Sequence, residues 1–240
     1  MLPLLTDLWQ IDVAAIPVCL HLVHNGTDDT PLNFLAHTLF AQQFDTNGEV
    51  SLDAELVVGQ YCGDFVRSEI GHFPSRVQLG IRQHRAIDSY TDAHALNLHA
   101  RNLFEKPFRR FAGVIVDVAY DHYLSVHWDR FSTLTLDEHA GQVYAALERY
   151  QPILPAALQR FSRVVIDQQV LTSYGELAAV ERTLHRISRR SERFAVLAQG
   201  GEPLANVSAE LEAYFLEFFP DLVSYASSLP RSETAVDAGG

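Results

Sequence analysis

Between Phe111 and Leu124 the chain carries no Lys or Arg, yet Asp117 and Asp121 stand one helical turn apart in an otherwise mostly apolar run. Like charges at that spacing repel by roughly 0.2–0.5 kcal/mol even in water. Within so apolar a helix they cost far more unless a cation or hydrogen bonds compensate. A second pattern lies upstream. Val77, Ile81, His84, Asp88 and Thr91 recur at helical spacing and share one face, which begins apolar and turns acidic. His84, Asp88 and Asp92 follow one another at i, i+4. His84 and Asp88 could reach one ion, as such pairs do in helix-borne metal sites; the bland alternative is a histidine–carboxylate pair on a polar face. Carboxylates and imidazoles converging from two helices predict a metal site, so residues 80–128 organise the chain.

The 240 residues, 48% hydrophobic and 20% charged, suit one globular domain with an ample core. No apolar run approaches the roughly 20 residues of a membrane helix, so no membrane partner is expected. Cys19 and Cys62 form no framework and no Cys-x-x-Cys spacing, which fits a reducing cytosol and a cytoplasmic location. Asp7 and Asp12 interrupt the apolar start, and no basic segment precedes it, so a secretory signal is not expected. A net charge of −12 argues against general nucleic-acid binding. Against it, Arg67, Arg76, Arg82, Arg85, Arg101, Lys106, Arg109 and Arg110 form a local basic surplus around the central helices. That surplus is either a solvated helical surface or a dock for an anionic partner or phosphate.

The remaining chain reads as helices. Residues 1–31, with Pro3, Pro17 and Asn25-Gly26, are expected to be an extension outside the domain. Asn33 to Gln42 is a short helix with Asn33 as its cap, and His37 on it is either a satisfied core histidine or a site residue. Asp45 to Gly48 is a turn, and Ser51 is the expected cap of a helix running to Arg67. Asp64 near its end is either a surface carboxylate or a buried ligand approached closely because Gly63 has no side chain. Pro74-Ser75 opens the first central helix, and Pro107 suits the first turn of the second, whose pattern ends at Trp128. Leu136 to Tyr150, Pro155 to Leu171, Tyr174 to Arg190 and Ser208 to Ala226 show helical spacing. Gly200 to Pro203 reads as a loop, Pro220 should bend or split the last helix, and residues 229–240 read as a disordered tail. With no convincing strand alternation, the expectation is an all-α, single-domain helical bundle over residues 32–228.

Several chemistries lack their motifs. No nucleotide-cradling glycine loop, no Gly-x-Ser-x-Gly elbow and no pair of Glu-x-x-His motifs of a di-iron bundle occurs. A mixed Asp/His set favours Mn²⁺, Mg²⁺ or Fe²⁺ over thiolate-bound zinc. Such ions act on phosphoryl substrates by clamping oxygens and acidifying water.

The blocks Asn33 to His37, Gly63 to Arg67, Gly80 to Asp88, Thr91-Asp92, Arg110 to Ala112 and Asp117 through Asp121-His122 to Trp128 resemble, in order, those of the acyl carrier protein phosphodiesterase (acyl carrier protein hydrolase) family. Tyr174 to Arg190 and Phe215 to Pro220 match it more loosely. The resemblance covers about residues 32 to 226. It implies a cytosolic helical hydrolase of lipid metabolism that acts on the carrier protein of fatty acid biosynthesis. Its reaction removes 4′-phosphopantetheine from the serine of holo-acyl carrier protein, with Mn²⁺ or a similar ion. It also implies distant kinship with HD phosphohydrolases, although the only such doublet here, Asp121-His122, is reversed.

On this reading His84, Asp88, Asp117 and Asp121 are expected as metal ligands, with Asp64 next. His37, Asp92 and His122 are candidates for catalytic orientation or proton transfer. Arg67, Arg82, Arg85, Arg109 and Arg110 are candidates for docking the carrier protein. Two other readings are an HD-like phosphohydrolase of nucleotides or another small phosphodiester, and a non-catalytic helical module that binds an acidic carrier. Because the resemblance begins at residue 33, deleting residues 1–31 is expected to leave folding and hydrolysis intact. An insoluble or inactive truncated chain would show that the segment packs on the domain.

Overall fold

The run without Lys or Arg becomes the central helix of an all-α fold. The computed structural model describes residues 34–66, 69–189 and 192–232. Helix α5 (Ala112–Val126) is buried on nearly every side, as a helix apolar all round should be. Around it lie α1 (Phe34–Leu39), α4 (Ala95–Asn102), α9 (Leu177–Ser188) and α10 (Gly201–Ser228). Helices α2 (Ala54–Cys62) and α3 (Ser75–Ala93) form a tight pair beside it. Helix α6 (Leu136–Arg149) packs on α2, and α7 (Ala156–Asp167) and the short α8 (Val170–Ser173) pack on α6. One hydrophobic core joins them, so the described residues form a single domain.

The pairing of α2 with α3 is a backbone contact. A methyl group at Gly59 would lie 2.4 Å from the Val77 carbonyl oxygen, and one at Gly80 would lie 2.7 Å from that of Leu56. Neither neighbour is a side chain that could swing away, so the helices reach this separation only with glycine on both. The seam fixes the height of α2's C-terminal end, which bears Asp64, against the middle of α3, which bears His84.

Local chemistry sets several boundaries away from their expected places. Gln42–Phe44 is not the end of α1 but a strand, β1, paired antiparallel with β2 (Val50–Leu52). The expected turn closes this hairpin: Asp45 Oδ1 accepts from the Asn47 and Glu49 backbone N–H groups, and Gly48 takes φ +81°. Strand pairing of three residues is too short to show as alternation. The cap of α2 is Asp53 rather than Ser51, because its carboxylate accepts from Glu55 and Leu56 N–H at 3.0 Å. The helix stops at Cys62 and not at Arg67.

Downstream, Pro107 precedes a 3₁₀ turn, Phe108–Phe111, and α5 starts only at Ala112. The α3 pattern stops at Ala93, where His94 turns extended and its ring accepts from Leu96 N–H to start α4, which helical spacing alone did not reveal. Gly201 to Pro203 form the first turn of α10 rather than a loop, and α10 continues unbroken through Pro220. Pro230 and Arg231 pack on the domain, the Pro230 carbonyl accepting from Gln83 and the Arg231 side chain donating to Gln42. The expectations for residues 1–31, for the Asn33 cap and for the tail from residue 233 lie outside the described residues.

Gly80→Ala is expected to lower unfolding free energy by about 1–3 kcal/mol, the usual range for a methyl forced into close packing. Urea denaturation of the full chain checks this; unchanged stability would show that α2 and α3 can separate freely.

Candidate metal centre

Three elements deliver ionisable side chains to one buried point. Helix α1 brings His37, α3 brings His84 and Asp88, and the residues just after α2 bring Asp64. The imidazoles of His37 and His84 stack with centroids 3.9 Å apart. His84 Nε2 lies 3.1 Å from both Asp64 Oδ1 and Asp88 Oδ2, and His37 Nε2 lies 3.1 Å from Asp88 Oδ1. Ligand atoms of His37, His84 and Asp88 fall within 4.8 Å of one another, close enough to hold one ion.

The donor set fits a divalent cation of intermediate hardness, with two imidazole nitrogens and carboxylate oxygens. The orientation fits as well. His37 Nε2 and Asp88 Oδ1 lie 3.1 Å apart and His84 Nε2 lies as close to the other Asp88 oxygen, so one carboxylate stands between the two imidazoles as a bridging ligand set would require.

Local structure explains the placement. Gly63 is required because a methyl there would lie 2.2 Å from the His84 ring, so the helix end bearing Asp64 can close over that imidazole. His37 is oriented from behind: its Nδ1 lies 3.2 Å from Gln60 Oε1, which can only accept, so Nδ1 carries the proton and Nε2 faces Asp88. Gln60 Nε2 in turn donates to Gln83 Oε1, and Gln83 Nε2 to the Pro230 carbonyl. Gln60 and Gln83 give no signal in the sequence, since a buried glutamine reads like any polar residue on a helix.

Electrostatics separate this site from the rest of the core. Burial alone would lower the His84 pKa, but Asp88 and Asp64 outweigh it and raise it to about 10. For Asp88, burial acts upward, yet the adjacent His84 and His37 hold its carboxyl below the usual range. His139 shows the contrary case. It is equally buried but meets the Thr38 hydroxyl at 2.9 Å in place of a carboxylate, and burial pushes its pKa down to about 3. One buried histidine is a cation among carboxylates, and the other is neutral core.

The remaining expected site residues are not among the three whose ligand atoms converge. Asp121 does not face the histidines: its two oxygens accept from Leu35 and Ala36 N–H at 3.1 Å, so it caps α1 from α5. Asp121 is thus occupied with helix capping and is not one of the three residues whose ligand atoms converge. Asp117, also on α5, is buried. Burial pushes its carboxyl up, Arg101 opposes this, and Asp92, Asp88 and Asp121 push further. Asp92 pairs with Arg101 on α4. His122 turns away, its Nδ1 donating to the Tyr174 carbonyl at 2.7 Å.

Of the candidate docking arginines, Arg85, Arg109 and Arg110 are exposed and Arg82 is half-buried. Arg85 donates to the Val66 carbonyl, Arg109 to Asn102, and Arg110 lies over the Phe111 ring. Arg67 lies outside the described residues.

The pKa directions fix how the metal-free site responds to pH. The raised His84 group stabilises the fold fully below about 6.5, its ordinary pKa, and that stability fades as pH rises through about 10. The lowered Asp88 group contributes above 3.8, its ordinary value, and is lost on further acidification. The raised Asp117 carboxyl acts in the opposite sense to Asp88: its contribution is fully present below 3.8, its ordinary value, and is lost as pH rises toward its raised pKa.

An entering cation must displace the His84 proton. Mn²⁺ binding at pH 7 should therefore release a proton, seen as a dependence of calorimetric heat on buffer ionisation enthalpy, and should tighten as pH rises. Heats independent of buffer would place the ion elsewhere. Asp121→Asn should behave differently, since an amide turns one acceptor into a donor against a backbone N–H. It should cost roughly 1–3 kcal/mol of stability while Mn²⁺ still binds at His84 and Asp88, and a variant as stable as the parent would remove the capping role.

Comparison with known proteins converges on one family. The family model described as acyl carrier protein phosphodiesterase matches residues 32–222. A protein named acyl carrier protein phosphodiesterase from Escherichia coli O157:H7 is 33% identical over 201 residues, covering 82% of this chain and 98% of its own. Proteins of the same name from Klebsiella pneumoniae and Photorhabdus laumondii are 32% and 30% identical, each over 82% of this chain and at least 96% of its own. No solved structure matches significantly, so kinship with HD phosphohydrolases rests on the sequence resemblance alone. By the extent of these matches, this chain belongs to the acyl carrier protein phosphodiesterase family.

Proposed function

We propose that this protein is a cytoplasmic, metal-dependent phosphodiesterase. It hydrolyses the bond between 4′-phosphopantetheine and the serine of holo-acyl carrier protein, and so acts on the carrier of fatty acid biosynthesis. The observation that carries the reading is the convergence of the His37 and His84 Nε2 atoms on Asp88, in a chain whose family is named for this activity. No helix among the described residues is long and apolar enough to cross a membrane, in keeping with a protein substrate met in water.

The ion we assign is Mn²⁺, with Mg²⁺ or Fe²⁺ as alternatives, held by His37, His84 and Asp88 with Asp64 against His84. When bound, such an ion polarises the phosphoryl oxygen and makes water nucleophilic near neutral pH. The chain's own residues prepare the rest. Gln60 holds His37 in the tautomer that turns Nε2 inward. Asp64 and Asp88 both meet His84 at Nε2 and so turn that nitrogen toward the carboxylates. Asp121 fixes the short helix that carries His37.

Exposed Arg85, Arg109 and Arg110 supply positive charge for docking an acidic carrier to a protein that is itself acidic. Incubating the full chain with Mn²⁺ and holo-acyl carrier protein should release the arm, seen in the intact mass spectrum as apo-carrier. His84→Ala should abolish release. Holo-carrier that survives unchanged, with Mn²⁺ bound, would overturn the reading.

A further inference from the structure

Two buried glutamines join the candidate metal centre to the segment that follows α10. His37 Nδ1 lies 3.2 Å from Gln60 Oε1, Gln60 Nε2 donates to Gln83 Oε1 at 3.5 Å, and Gln83 Nε2 donates to the Pro230 carbonyl at 2.8 Å. The two ends of a primary amide have nearly the same shape, so packing alone does not choose which end of Gln60 faces His37. The far end of the line chooses. A backbone carbonyl can only accept, so Gln83 must turn its nitrogen to Pro230 and its oxygen to Gln60. Gln60 must then turn its nitrogen to Gln83 and its oxygen to His37. Reversing both amides would set the Gln83 and Pro230 oxygens against each other and leave a buried acceptor without a donor.

Local chemistry places that carbonyl. Proline has no N–H and drives the residue before it to extended backbone. Leu229 accordingly takes φ −67° and ψ 149°, which ends α10 and turns the chain away from the helix axis. Arg76, two turns before Gln83 on the same side of α3, donates to the Arg231 carbonyl at 3.2 Å, and Arg231 donates to the Gln42 carbonyl at 3.3 Å. The segment is thus tied to α3 and to β1, beyond residue 222 where the match to the family model ends. We propose that Gln83 and the Pro230 carbonyl are positioning groups of the metal centre: acting through Gln60, they hold the His37 ring with its proton on Nδ1 and Nε2 free to bind the ion. This rests on the metal-dependent reading above and extends that site to a strap C-terminal to α10.

The test measures Mn²⁺ affinity of the full chain by calorimetry, in variants first checked for wild-type helical circular dichroism. Gln83→Met, with Gln83→Ala in its place should that chain not fold, should bind Mn²⁺ about tenfold more weakly or worse, as loss of an outer hydrogen-bond partner of a ligand does. Gln83→Glu should keep most of the affinity, since a carboxyl oxygen still accepts from Gln60 and needs no carbonyl to orient it. Adding Gln83→Met to Gln60→Met should weaken binding no further, because Gln83 acts only through Gln60. Wild-type affinity in Gln83→Met would overturn the proposal. So would an equal loss in Gln83→Glu, or losses that multiply in the double variant, either of which would make Gln83 a packing residue only.

Mn²⁺ binding without release of the arm from holo-carrier would overturn the phosphodiesterase reading, and the affinities above would still judge the relay. If the wild type binds no Mn²⁺, the metal reading falls and nitrogen-15 NMR of the neutral His37 ring decides. A proton on Nδ1 in the wild type that is shared between both nitrogens in Gln83→Met keeps the hold of the strap on His37, and the same pattern in both proteins ends it.

Discussion

The candidate metal centre depends on how closely two helix backbones approach. The Gly59–Gly80 contact allows α2 and α3 to touch without intervening side chains. A wider separation would draw Asp64 away from His84, and the 3.1 Å contact between them has no slack to lose. Gly63 extends the same requirement to the end of α2, where the His84 ring fills the space a methyl would take. The ligands are thus placed by absent side chains as much as by present ones, an economical way to hold polar groups rigidly inside an apolar fold.

Burial then gives those groups their character. Buried imidazoles favour the neutral form unless carboxylates surround them. His84 has Asp64 and Asp88 and stays charged, while His139 has a hydroxyl and an indole edge from Trp128 and stays neutral. The same reasoning separates Asp117 from Asp121. Both are buried on α5, but Asp121 meets two backbone N–H groups and Asp117 meets a mixed field of Arg101 and other carboxylates.

The helical architecture was legible because α3, α5 and α6 write their buried faces at helical spacing, and His84 with Asp88 stood on one such face. What the chain could not announce were contacts between elements far apart in sequence. Asp121 looked like a ligand because its spacing from Asp117 poses a charge problem, and the solution lies some 85 residues upstream at the start of α1. His37 read equally well as core, since its neighbours on α1 are apolar and only Gln60 and Asp88, from other helices, reveal its orientation. The hairpin at Gln42–Leu52 escaped notice because three-residue strands are too short for alternation to register. The Asp92–Arg101 pair likewise depends on the turn at His94, which brings α4 back beside α3.

Helix α1 has six residues, too few to persist in water without support. Its first-turn N–H groups are held by a carboxylate that follows about 85 residues later. During synthesis α1 is the first described helix to leave the ribosome, yet it cannot settle until α5 has also emerged. His37 therefore joins the site late, and the nascent chain passes most of its translation with no competent centre to act on a carrier protein nearby.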